Sequence, residues 1–112
     1  MKIKSATLNN FEGEILESSR PCVVKFSNEG CHLCINLEPV CERLAGDYGD
    51  RYKFYDVNTF EEKKLTEIFS DEGVPTIYVF RDGNATEIPY PKSPDEKTGY
   101  SEQYLRDYLD AF

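Results

Sequence analysis

With 112 residues, 39% of them hydrophobic and 30% charged, the chain has apolar material for one adequate core and not two, so a single domain over residues 1–112 with one site is expected. The 13 basic and 21 acidic side chains give a net charge of −8, which repels nucleic-acid phosphates and anionic membrane surfaces, while 8 Tyr and 7 Phe argue against a disordered chain. No apolar run of signal-peptide length opens the sequence and no later stretch is long and apolar enough to span a bilayer, so the expected location is the cytoplasm.

Residues 2–7 alternate as a short strand does, and Asn9 with Glu12 forms a weak capping box that predicts a helix over residues 10–18. Arg20-Pro21 ends that region. The β-rich run Cys22-Val23-Val24-Lys25-Phe26 then reads as an internal strand leading into Cys31-His32-Leu33-Cys34. Beyond this motif, Leu37, Val40, Cys41, Leu44, Ala45 and Tyr48 recur at helical spacing, with Glu38, Glu42 and Arg43 left for the solvent face. Residues 52–57 form the next strand. Thr59 with Glu62 is expected to cap a helix that carries Leu65, Ile68 and Phe69 inward before Gly73 stops it. Residues 76–81 and 86–89 flank Asp82-Gly83, a dipeptide suited to a tight hairpin, and Ser101 can cap a last helix that buries Tyr104, Leu105, Tyr108, Leu109 and Phe112. The order β-α-β-α-β-α-β-β-α predicts an α/β domain, a mixed central sheet of about five strands with helices on both faces.

Four cysteines in a chain with no export signal and an adequate core point to reactive or metal-bound thiols rather than structural disulfides. Between a strand and a long helix, Cys31 falls at a helix N-terminus, where unpaired amides and the macrodipole favour a thiolate. Cys34, about one helical turn on, can attack a mixed disulfide at Cys31 and close the internal disulfide. A zinc site fits the CxxC less well, because it needs a second pair that Cys22 and Cys41 do not form. His32 can ligate a metal in principle; a side chain between two cysteines more often faces solvent and tunes their charge. Cys22 and Cys41 are expected to be reduced core thiols below the pair, a placement that allows them to be neighbours.

Asn10-Phe11-Glu12, Pro21, the CxxC, Pro39, Gly73-Val74-Pro75-Thr76 and Asp82-Gly83 occur in the order of the landmarks of the thioredoxin family, which this chain resembles over nearly its whole length. The resemblance implies the thioredoxin fold and a Cys31/Cys34 dithiol–disulfide cycle that reduces disulfides in protein substrates, with a separate reductase to recharge it and no cofactor or metal. It implies a cis bond before Pro75, substrate contacts from Gly30, His32, Val74, Pro75 and Thr76, and pairing of the Val74 backbone with an extended substrate segment. Pro39 resembles the proline inside the family's active-site helix.

Three departures stand out. Gly30 replaces the Trp that typically precedes the first cysteine, His32-Leu33 replaces Gly-Pro, and Lys25 stands where most members carry a buried Asp. Glu29 adds a negative charge that disfavours a thiolate at Cys31. Lys25 has three readings: a cation that stabilises a thiolate, a neutral amine acting as a base, or a long stem whose ammonium reaches water. Two other functions remain open at this stage. One is a disulfide oxidase or isomerase, and the other is a binding module whose cysteines are vestigial or hold a metal. Finally, strand direction brings the loop of residues 90–99, with Pro91, Lys92, Pro94 and Lys97, back to the Cys31 end, as a recognition rim or a plain solvated connection.

Overall fold

The computed structural model describes residues 3–112. Its elements are β1 (Ile3–Ser5), α1 (Leu8–Phe11) widening into a π-helical turn (Glu12–Leu16), β2 (Cys22–Ser27), α2 (His32–Tyr48), β3 (Lys53–Asn58), α3 (Lys63–Phe69), β4 (Thr76–Arg81), β5 (Asn84–Glu87) and α4 (Glu102–Ala111). The five strands form one sheet in the order β1-β3-β2-β4-β5. The β1–β3 and β2–β3 pairs are parallel, whereas β4 runs antiparallel to both β2 and β5. This is the expected mixed sheet; Lys2, part of the first predicted strand, lies outside the described residues.

Period-two alternation along β2 sends successive side chains to opposite faces. Cys22, Val24 and Phe26 join Phe11, Ile15 and Leu65 on the α1/α3 side, while Val23 packs with Leu37, Leu44 and Leu105 under α2 and α4. The placement that allowed Cys22 and Cys41 to be neighbours is therefore corrected: they belong to cores on opposite faces of the sheet. Both are free, buried thiols.

Local chemistry moves several predicted boundaries. The first helix starts at Leu8, because the capping role falls on Thr7 and Asn10 rather than Asn9 and Glu12; Thr7 N–H donates to Asn10 Oδ1 at 2.8 Å. Thr59 does not cap α3. Its hydroxyl is engaged by the Asn28 amide at 2.9 Å, and the helix begins at Lys63 after a turn in which Phe60 N–H donates to Asn58 Oδ1. Leu65 and Phe69, four apart, occupy the inward stripe of this short helix, and Ile68, expected inward, is 67% exposed. Nor does Gly73 stop α3, which ends at Phe69; the Gly73 carbonyl instead accepts from the hydroxyls of Ser70 at 2.6 Å and Thr76 at 2.7 Å.

The hairpin turn has φ 52° at Asp82 and 80° at Gly83, so Arg81 pairs directly with Asn84. The last strand accordingly begins two residues before the predicted 86–89. Ser101 caps α4 as expected, its hydroxyl accepting from Tyr104 N–H at 3.1 Å. Arg106 joins this helix to α2 through Asp47 at 2.8 Å, a surface contact of the kind that adds little stability beside the apolar seam of Leu44, Leu105 and Leu109.

Candidate functional site

Cys31 is the N-cap of α2, and its extended backbone turns the chain from β2 into the helix. Its Sγ accepts from Cys34 N–H at 3.1 Å, while its carbonyl receives the first intrahelical bond from Ile35 N–H at 3.0 Å. A sulfur capping a helix N-terminus faces unsatisfied amides and the positive end of the macrodipole, both of which stabilise negative charge on it. Cys31 and Cys34 form a disulfide, with their Cα atoms 5.2 Å apart. Cys31 is half-buried, whereas Cys34 is 2% exposed.

The turn ahead of Cys31 is organised by Asn28. Its Oδ1 accepts from Gly30 N–H at 3.0 Å, its carbonyl accepts from Cys31 N–H at 3.3 Å, and its amide donates to Thr59 across the β3–α3 connection. The sequence carried a signal for this role, an Asn two residues before a Gly, which is a common side-chain-mimicked turn. A Cβ added at Gly30 would lie 3.4 Å from Phe60 Cζ, so the phenyl ring of the β3–α3 connection sits beside Gly30. Phe60 is 55% exposed, an apolar surface beside Gly30, the residue that precedes Cys31. His32 is exposed at the first position of α2. Glu29 is exposed and accepts from the Asn58 amide at 3.3 Å. Pro39 lies inside α2, which continues beyond it to Tyr48.

The Val74–Pro75 peptide bond is cis. Val74, Pro75 and Thr76 line an open cleft of about 240 Å³ with Glu72, Tyr90 and Tyr100. The loop of residues 90–99 frames this end of the molecule. Asp95 and Gly99 bridge it internally, the Lys97 carbonyl accepts from the Asn36 amide of α2 at 2.9 Å, and the Tyr90 ring packs edge-on to Tyr100 at 5.2 Å. Gly99 has φ 74° and its notional Cβ falls 2.6 Å from the Tyr90 hydroxyl, so only glycine fits there without displacing the ring.

Lys25 is not the water-reaching side chain of one expected reading. Its side chain is 5% exposed, and its ammonium lies 3.7 Å from Asp56 Oδ1, on the adjacent strand at the paired register position. Ser27 Oγ donates to the same carboxylate oxygen at 2.8 Å. Burial raises the Asp56 carboxyl pKa, and Lys25 and Ser27 oppose that rise. Asp56 was missed at the sequence level, although its alternation with Phe54 puts it on the core face, an unusual place for a carboxylate. Burial pushes the Cys41 thiol up to about 11 and raises Cys22 as well, which keeps both protonated near neutrality. Among the described residues no three His, Cys, Asp or Glu side chains converge as a metal site, and no helix is long and apolar enough to cross a membrane.

Comparison with known proteins agrees with this geometry. The sequence model of the family described as Thioredoxin matches residues 2–104. Thioredoxin M4, chloroplastic, of Arabidopsis thaliana is 27% identical over 101 residues, covering 88% of this chain and 52% of that protein. Thioredoxin 1 of Synechococcus elongatus is 36% identical over 73 residues, 65% of this chain and 68% of that protein. Thioredoxin of Acidithiobacillus ferridurans is 32% identical over 75 residues, 67% of this chain and 69% of that protein. The chain thus spans about half the length of the chloroplast relative and about two thirds of the other two.

Proposed function

Because the chain belongs to the thioredoxin family, we propose that it is a thiol–disulfide oxidoreductase that reduces disulfides in other proteins through Cys31 and Cys34. The observation that carries this reading is the asymmetry of the pair. One sulfur caps a helix N-terminus with partial access to solvent, and its disulfide partner is buried one turn on.

In the reaction, the Cys31 thiolate attacks a substrate disulfide, forming a mixed disulfide and releasing one substrate thiolate. Cys34 then attacks Cys31 Sγ. The bond to substrate breaks, the second substrate sulfur leaves with the electron pair, and the Cys31–Cys34 disulfide closes. Two electrons have passed to the substrate, and a reductase returns two electrons and two protons to restore the dithiol. The cleft of Val74, Pro75 and Thr76 supports docking of an extended substrate segment by added-strand pairing with the Val74 backbone, and Gly30 and His32 flank the attacking sulfur. A reducing compartment such as the cytoplasm suits this direction of flow.

The test is reduction of insulin interchain disulfides by the purified protein, with dithiothreitol as electron source. The wild-type chain accelerates the reaction, and Cys31→Ser abolishes the acceleration. Equal rates for wild type and Cys31→Ser would refute the reading.

A further inference from the structure

We propose that Asp56 accepts the proton of Cys34 when Cys34 resolves the mixed disulfide, with Lys25 as the fixed counter-ion that positions the carboxylate. This rests on the oxidoreductase reading above and names the group that completes it. The resolving thiol must lose a proton before it can attack, yet Cys34 is 2% exposed, and a buried thiolate is costly without an acceptor at hand.

The fold supplies one. Asp56 shares the sheet face under α2 with Phe54, and an open cleft of about 150 Å³ joins it to Cys34, bounded also by Ser27, Ile35, Glu38 and Asn58. That volume has room for about five waters, enough to relay a proton between sulfur and carboxylate. On its other side Asp56 borders a second open cleft of about 150 Å³ with Lys4, Lys25, Glu38 and Glu42, which gives the proton a way out to solvent.

The charged and titratable groups around Asp56 come from every neighbouring element. Lys4 belongs to β1, Lys25 to β2, Glu29 to the turn before α2, and Cys34, Glu38, Cys41 and Glu42 to α2. Of the carboxylates lining the cleft, Asp56 is held from two sides, by Ser27 at 2.8 Å and Lys25 at 3.7 Å, whereas Glu29 is exposed with a single contact from the Asn58 amide at 3.3 Å and Glu38 is exposed on the helix. Partial burial also raises the basicity of Asp56, bringing it nearer to that of a thiolate. In the step, the Cys34 S–H proton passes through water to the Asp56 carboxylate as Cys34 Sγ bonds to Cys31 Sγ. The Cys31–substrate bond breaks toward the substrate sulfur, and the neutral Asp56 carboxyl afterwards returns its proton to solvent.

Reduced protein mixed with a chromogenic aromatic disulfide separates the two half-steps, because one coloured thiolate is released when Cys31 attacks and a second when Cys34 resolves. Asp56→Asn is expected to leave the first phase within about twofold of wild type and to slow the second about tenfold or more near pH 7. The deficit should close as pH rises and Cys34 ionises unaided, and Asp56→Glu should restore much of the neutral-pH rate. Because Asp56→Asn leaves the Lys25 ammonium buried, Lys25→Met/Asp56→Asn is tested beside it as the variant safer for folding, with the same slow second phase expected. A second phase that Asp56→Asn leaves unchanged, slows equally at every pH, or that Glu38→Gln slows in its place, overturns the Asp56 assignment alone. Failure of the wild-type protein to release a second thiolate sinks the redox reading itself, and the assignment with it.

Discussion

The Lys25–Asp56 pair allows a prediction whose size follows from burial. At 3.7 Å, two unit charges attract by about 4.5 kcal/mol at an effective dielectric of 20 and by about 1 kcal/mol in water. With Asp56 38% exposed, solvent screening reduces the coupling to about 2 kcal/mol. The two single substitutions are not equivalent. Asp56→Asn strands an ammonium that is 5% exposed, and is expected to cost about 2–3 kcal/mol. Lys25→Met fills the same space with an apolar side chain and leaves a carboxylate that can turn to water, so its cost is about 1 kcal/mol or less. The double variant should lie close to Lys25→Met, since no buried ammonium remains. Urea unfolding of all four proteins at neutral pH measures the cycle, with the midpoint converted through a common slope. A coupling below about 0.5 kcal/mol, or a greater loss from Lys25→Met than from Asp56→Asn, would refute the argument that Lys25 is the buried partner and depends on Asp56.

In the reduced protein, limited alkylation should modify Cys31 before Cys34, because Cys31 has solvent access and Cys34 is 2% exposed; peptide mapping reads the order, and Cys34 labelled first would reverse the nucleophile assignment. The Cys41 thiol, held at about 11 in the fold against an ordinary value of 9.0, contributes stability that is complete below pH 9 and is lost as pH rises from 9 to about 11. That gap corresponds to about 2.7 kcal/mol, so Cys41→Ala should flatten the alkaline limb of stability by roughly this amount in urea melts, and an unchanged limb would contradict the burial of this thiol. Shortening the loop between Lys92 and Thr98 removes the Lys97–Asn36 contact but no core residue, and should leave folding and small-disulfide reduction nearly intact while changing rates among protein substrates. Equal rates for every protein partner would reduce the loop to a solvated connection.

Several features were legible because they depend on neighbours along the chain. The β-rich run that becomes β2, the Asp82-Gly83 hairpin, the Ser101 cap and the apolar stripe of α2 each express a period, a turn geometry or an unsatisfied amide within a few residues. The same locality places Cys31 and Cys34 at the start of α2, where chemistry at the pair can be anticipated before any tertiary contact is known. Misplaced features mark competition between neighbouring signals. Asn9 with Glu12 resembled a cap, yet Thr7 with Asn10 prevailed, and Ile68 matched a helical period whose inward stripe is filled by Leu65 and Phe69.

The surroundings of the pair were settled at longer range. The sequence showed that position 25 holds a lysine and left three readings for it; only the register of β2 against β3 sets it beside Asp56, and only the packing of α2 over that face opens a cleft between Asp56 and Cys34. Asn28 reaching Thr59, Phe60 beside Gly30, and Asn36 holding Lys97 likewise join segments far apart in the chain. Local propensities specify which residues form a strand or begin a helix. Which side chain then meets which depends on strand register and on the burial of two apolar faces against one sheet, and those are properties of the whole chain packed together.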